Sequence, residues 1–151
     1  MNTLTTILIF VHVVSVVVWV GGMFLAYVAV RPAALEVLEP PQRLRLWDGI
    51  FQRFFPWVWA AVLLIAASGF TMMGEMGRVP VYVMAMAGIG IIMFMIFLHV
   101  YFAPFRRLKR TVAAQDWKTA GEALSQIRVL IGINLALGLV NVALAILGRL
   151  A

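Results

Sequence analysis

Apolar residues gather in four long runs, at about 5–30, 56–74, 80–103 and 129–148, and the arginines and lysines collect between them. A helix needs about 20 mostly apolar residues to cross the hydrocarbon core of a bilayer, and each run comes close to that length or exceeds it. Residues 42–54 follow a second pattern, in which Leu44, Trp47, Phe51 and Phe54 recur at helical spacing against Arg45, Asp48 and Gln52. That period predicts an interfacial amphipathic helix lying on the membrane surface. Arg31-Pro32 is expected to end the first helix, because proline has no N–H to continue the ladder. Asp116 stands where an N-cap would open a helix leading into the fourth span. The expected fold is all-α: a single integral-membrane domain over residues 1–151, an up-and-down four-helix bundle with two longer loops at one end and a tight turn, Gly74 to Val79, at the other.

Charge adds an orientation. Arg31, Arg43, Arg45 and Arg53 fall between spans one and two, and Arg106, Arg107, Lys109, Arg110, Lys118 and Arg128 between three and four; only Arg78 and Arg149 lie on the opposite side. The positive-inside rule then places both termini outside the cytoplasm. With 64% hydrophobic and 12% charged residues and a mean hydropathy of +1.03, a soluble domain is excluded. The pI near 10.8 is accounted for by basic residues facing lipid headgroups, so no nucleic-acid partner is expected. The partner is the lipid bilayer, with a homo-oligomer left open. Residues 1–6 carry no basic side chain and the apolar run that follows exceeds signal length, so the first run is expected to persist as a mature helix. Absence of cysteine excludes disulfides and thiolate sites, and all six acidic residues sit in loops or at helix ends, which leaves no Ser-His-acid set for hydrolysis.

Candidate chemistry comes from what is polar or soft inside the spans. Because lipid is as apolar as leucine, small and polar residues mark inward faces: His12, Ser15, Trp19, Gly22, Met23 and Ala26 in span one; Ser68, Gly69 and Thr71 in span two; Asn134, Gly138, Asn141 and Ala145 in span four. In span three Met84, Gly88, Met95 and His99 share one stripe, with Met86 and Met93 on another. His12 and His99 are the only histidines, and an ionisable group inside a span is a functional candidate. Their depths differ by roughly 18 Å at 1.5 Å per residue, which argues against joint ligation of one haem. Level with His12 lie Met84 and Met86, with Met72, Met73 and Met76 closing span two on the same side. One imidazole near several thioethers is a soft ligand set suited to Cu(I), and a His-Met pair is also an axial set for haem iron. Around His99, Arg53, Arg106, Arg107 and Arg128 could anchor propionates, with Asn134 at similar depth.

The segments HVVSVVVWVGGMF (12–24), RPAALEVLEPPQRLRLW (31–47), FFPWVWA (54–60) and HVYFAPFRRLKR (99–110) resemble the CopD family of bacterial inner-membrane proteins, associated with copper resistance and uptake. The likeness covers nearly the whole chain and implies a multi-pass protein of the bacterial inner (plasma) membrane that handles copper. The first-helix pattern, His followed by an aliphatic run, Trp, Gly and Phe, is also similar to HemJ-type protoporphyrinogen oxidases, four-helix proteins that bind haem b. In that family a His in helix one and a Lys at the start of helix three, in a His-x-Lys motif, are implicated in haem ligation. The stretch VYVMAMA (81–87) places Met84 and Met86 where that His and Lys would stand, so the first-helix ligand carries over to His12 and the lysine does not.

The leading expectation is a copper-handling membrane protein, with enzymatic activity left open, which captures copper at His12 with Met84, Met86 and either Met72 or Met76. Should metal cross, Met23, Met93, Met95 and His99 offer later ligands. The alternative is a haem b protein, a haem-dependent oxidoreductase in electron transfer or porphyrin oxidation, with His12 or His99 as axial ligand and Met86 opposite. A third reading leaves the histidines to hold helices together.

Overall fold

A computed structural model describes residues 2–148 and 150. All regular structure among them is helical and forms four long helices: α1 (Thr3–Val37), α2 (Pro40–Gly74), α3 (Val81–Ala113) and α4 (Trp117–Leu147), of 35, 35, 33 and 31 residues, each long and apolar enough to span a membrane. The expected all-α four-helix architecture is therefore what the chain adopts. At 1.5 Å per residue these helices run about 46 to 53 Å, against a hydrocarbon core of about 30 Å. Each overruns the bilayer, and the charged residues show that the excess projects mainly at the end where the basic residues gather.

Two expectations about boundaries are corrected. Helix one does not stop at Arg31-Pro32. It passes through a π-helical turn, Ala26–Val30, in which the Arg31 N–H donates to the Ala26 carbonyl, and resumes as α-helix to Val37. The same device recurs in α3, where the π turn Tyr101–Phe105 contains Pro104. A π turn widens the ring to i→i+5 and shifts the carbonyl register by one residue, so a helix can pass a proline that offers no N–H. The amphipathic segment at 42–54 is likewise no separate surface element. It is the first part of α2, opened by a reciprocal capping box between Glu39 and Gln42 with prolines in the first turn. Its apolar stripe, Leu44, Trp47 and Phe51, is buried among the other helices, so protein packing takes up the face that the period assigned to lipid.

The two expected longer loops are consequently short. Leu38 and Glu39 join α1 to α2, and Ala114–Asp116 join α3 to α4. The second connection is a Schellman turn: Gln115 has φ 57, its N–H donates to the Val112 carbonyl at 3.1 Å, and the Asp116 N–H reaches back to Thr111 at 3.0 Å. Asp116 then caps α4 as expected, accepting the Thr119 N–H at 3.1 Å. Hydrogen bonding from Thr119 holds the Asp116 carboxyl below the usual carboxylate range.

α1 packs along α2, and α3 along α4; α1 and the membrane part of α3 make scarcely any close backbone approach. An aromatic zipper closes the middle of the bundle. Trp47, Phe51 and Phe55 repeat every four residues on α2, with Phe51 and Phe55 stacked at 5.1 Å, and Phe97, Tyr101 and Phe105 do the same on α3. Phe55 meets Phe97 at 5.6 Å and Phe105 at 4.8 Å, both edge-to-face. Close helix approach elsewhere depends on glycine: a Cβ on Gly22 would collide with the Phe54 ring, and one on Gly138 would press Val20 at 2.9 Å.

Candidate metal centre

His12 sits about 14 Å along α1 from Thr3, half-buried, with its ring turned onto α2. Its Nδ1 lies 2.9 Å from Ser68 Oγ. Ser68 is only 2% exposed, and its hydroxyl donates to the Leu64 carbonyl one turn back at 2.6 Å. A hydroxyl has one hydrogen to give. With that hydrogen directed at a backbone carbonyl, Leu64 or, at 3.3 Å, Ile65, Ser68 Oγ is an acceptor for an imidazole protonated on Nδ1, the tautomer that would leave the lone pair on Nε2. Gly69 gives the ring its room, since a Cβ there would stand 3.2 Å from His12 Cε1. A neutral imidazole fixed through one N–H, with the other nitrogen basic, is the arrangement that histidine metal ligands use.

The other residues picked out from the sequence are placed as follows. Met72 is one turn beyond Ser68 on α2 and half-buried, on the side of α2 that faces α1. Met76 is exposed in the turn after α2. Met84 is 51% exposed on α3, and Met86 is half-buried there, its backbone carbonyl accepting from Asn141 Nδ2 on α4 at 3.2 Å. Because α3 pairs with α4 and not with α1, the structure brings His12 against α2 residues and sets Met84 and Met86 on a different helix pair. On α3 the stripe of Met84, Gly88, Met95 and His99 faces outward, while Met93, Phe97 and Val100 are buried.

The basic candidates are engaged locally. Arg53 donates to the Gly49 carbonyl at 3.0 Å, Arg106 lies over the Phe102 ring and Arg107 donates to Gln126 Oε1 at 2.6 Å. Arg128 lines a cavity at the arginine-rich end, with one nitrogen 3.4 Å from Ser125 Oγ. Asn134 is buried at 3% exposure with its Oδ1 unpartnered, beside an apolar cavity of about 30 Å³ between Trp19, Phe55 and Phe97. Among the described residues no three His, Cys, Asp or Glu side chains converge into a metal site.

The family model for Copper resistance protein D matches residues 48–147. The chain belongs to the CopD family. The match opens within α2 and runs through α3 to the last residue of α4, so Ser68, Met72, Met76, Met84, Met86 and His99 lie inside it and His12 lies before it. Comparisons with curated proteins and with solved structures returned no match. Membership makes this a multi-pass membrane protein related to copper resistance, and copper is the metal against which the His12 geometry is to be weighed.

Sequence reasoning singled out His12 and marked Ser68 and Gly69 as polar or small positions in span two, yet did not join them. The signal was present in principle: Ser68 lies six residues from the end of α2 and His12 nine from the start of α1, so antiparallel neighbours meet there. What the sequence lacked was the knowledge that α1 pairs with α2 in preference to α3.

Proposed function

We propose that this CopD protein binds Cu(I) in the seam between α1 and α2, with His12 Nε2 as the nitrogen ligand. Met72, one turn beyond Ser68, supplies one thioether and Met76 a second, where the site meets the α2–α3 turn. The observation that carries the reading is the contact of His12 Nδ1 with Ser68 Oγ at 2.9 Å, itself 2.6 Å from the Leu64 carbonyl, which supports a ring held through Nδ1 with Nε2 left for a metal. A soft nitrogen-sulfur set of low coordination suits Cu(I). The α1–α2 pairing favours Met72 and Met76 over Met84 and Met86 as partners of His12. His99, on the outward face of α3, belongs to no site with His12 in this reading.

In the orientation set by the positive-inside rule, the arginine-rich end faces the cytoplasm of a bacterial inner membrane and the His12 site opens on the opposite side. The aromatic zipper stands between the two, which supports a site that holds metal at one side.

The test is Cu(I) titration of detergent-purified protein against a competing chromophoric chelator. Wild type and His99→Ala should bind one tight copper per chain, and His12→Ala should lose it with an unchanged helical spectrum and elution volume. Tight stoichiometric binding that survives in His12→Ala would refute the site.

A further inference from the structure

The arginine-rich end contains a cavity of about 220 Å³ between α1, α2 and α4 that the copper reading does not use. Arg31, Arg43 and Arg128 line it, and no Asp or Glu does. Of the nearby acids, Glu39 is in the capping box of α2, Asp48 is bonded to Gln52 and Asp116 to Thr119, while Glu36 and Glu122, next to the lining residues Leu35 and Gly121, are exposed and outside the lining. Arg31 has its guanidinium stacked over Tyr27 at 5.3 Å, and its Nε is buried without an acceptor. Arg43 donates one nitrogen to the Leu38 carbonyl at 3.3 Å, which fixes the head and leaves the remaining donors free. Three like charges converging on one space, one of them with a buried donor unpaired, are complementary to an anion with several acceptor oxygens, and guanidinium groups match phosphate geometry.

Further in, the lining turns apolar, with Phe51, Leu124 and Ile131. An anion alone has no use for that surface, whereas an amphiphile has. The volume falls short of the roughly 300–1,000 Å³ of pockets that enclose drug-sized ligands, so it suits a headgroup whose tails remain in the bilayer. We propose that this cavity binds the phosphate of one anionic phospholipid, with the arginines on its phosphodiester oxygens and the upper acyl segment against the apolar wall. Basic pockets between spanning helices select such lipids on the inner leaflet. The proposal is independent of where copper binds.

The experiment is native mass spectrometry of protein released from nanodiscs of phosphatidylcholine mixed with phosphatidylglycerol. Wild type should retain one phosphatidylglycerol in preference to phosphatidylcholine. Each of Arg31→Gln and Arg43→Gln should cut retention about fivefold, and the pair about 25-fold, while the equally charge-depleted Lys109→Gln/Arg110→Gln should retain lipid as wild type does. Gly121→Phe tests the same point without touching charge. Gly121 lines the cavity, and a Cβ there meets open space, so the ring fills the site and should displace the lipid from a folded protein. Equal loss in the Lys109/Arg110 control, or retention unchanged in Gly121→Phe, would overturn the proposal. Displacement of the lipid by added inorganic phosphate would assign the cavity to a free anion and overturn it as well.

Discussion

At Ser68 three contacts meet, 2.6 Å to the Leu64 carbonyl, 3.3 Å to that of Ile65 and 2.9 Å to His12 Nδ1, and a hydroxyl hydrogen given to a carbonyl favours the Nδ1–H tautomer of His12. Removing the hydroxyl therefore does more than delete a contact: the His12 ring loses both its orientation and the bias toward the Nδ1–H tautomer. Ser68→Ala should weaken Cu(I) binding by about 10- to 100-fold, the usual cost of losing a partner that orients a metal-bound histidine, read in the same chelator competition. Ser15 is an internal control, because it is also buried on α1 but donates only to its own helix at Val11. Ser15→Ala should leave copper affinity unchanged. His12 itself was legible from the chain, since a lone imidazole within a span has few uses. Its ring partner was not, because that is a serine 56 residues away on a neighbouring helix.

At the scale of elements, the spans were readable from hydropathy and their ends were not. Pro32 read as a helix break, and the π turns before it and around Pro104 leave no mark in composition. The turn at Gln115 hid for a related reason: glycine ordinarily signals a left-handed C′ position, and here glutamine occupies it at φ 57. Left-handed backbone costs an L-residue roughly 1–2 kcal/mol, so Gln115→Gly should stabilise the protein by about 1 kcal/mol and raise the midpoint of thermal unfolding in detergent. The inward face of α3 was obscured by the lipid itself. Where the solvent is as apolar as the core, methionine carries no sign of inside or outside, and the stripe ending in His99 turned outward while Met93 turned in. Asn141, by contrast, does link helices, through the Met86 carbonyl. Asn141→Leu should cost about 0.6 kcal/mol, the typical worth of such a bond between membrane helices, measured by the same melt.

For the whole molecule, topology and copper are the two claims that matter most. The chain has no cysteine, so single substitutions give a clean test of orientation with a membrane-impermeant maleimide on intact cells. Gly77→Cys, in the turn after α2, should label from outside, and Ala114→Cys, in the turn after α3, should label only after the membrane is opened. The reverse pattern would invert the molecule and place the His12 site at the cytoplasmic face. Phe55, Val58 and Phe97 are buried at the bundle centre, and the proposed copper site lies to one side of them, at His12. That account rests on one nitrogen. X-ray absorption at the copper edge, on protein loaded with one Cu(I) per chain, should show an imidazole nitrogen together with thioether sulfur, and the imidazole signature should disappear in His12→Ala. A shell without imidazole in the wild type, or one that persists unchanged in His12→Ala, would contradict it.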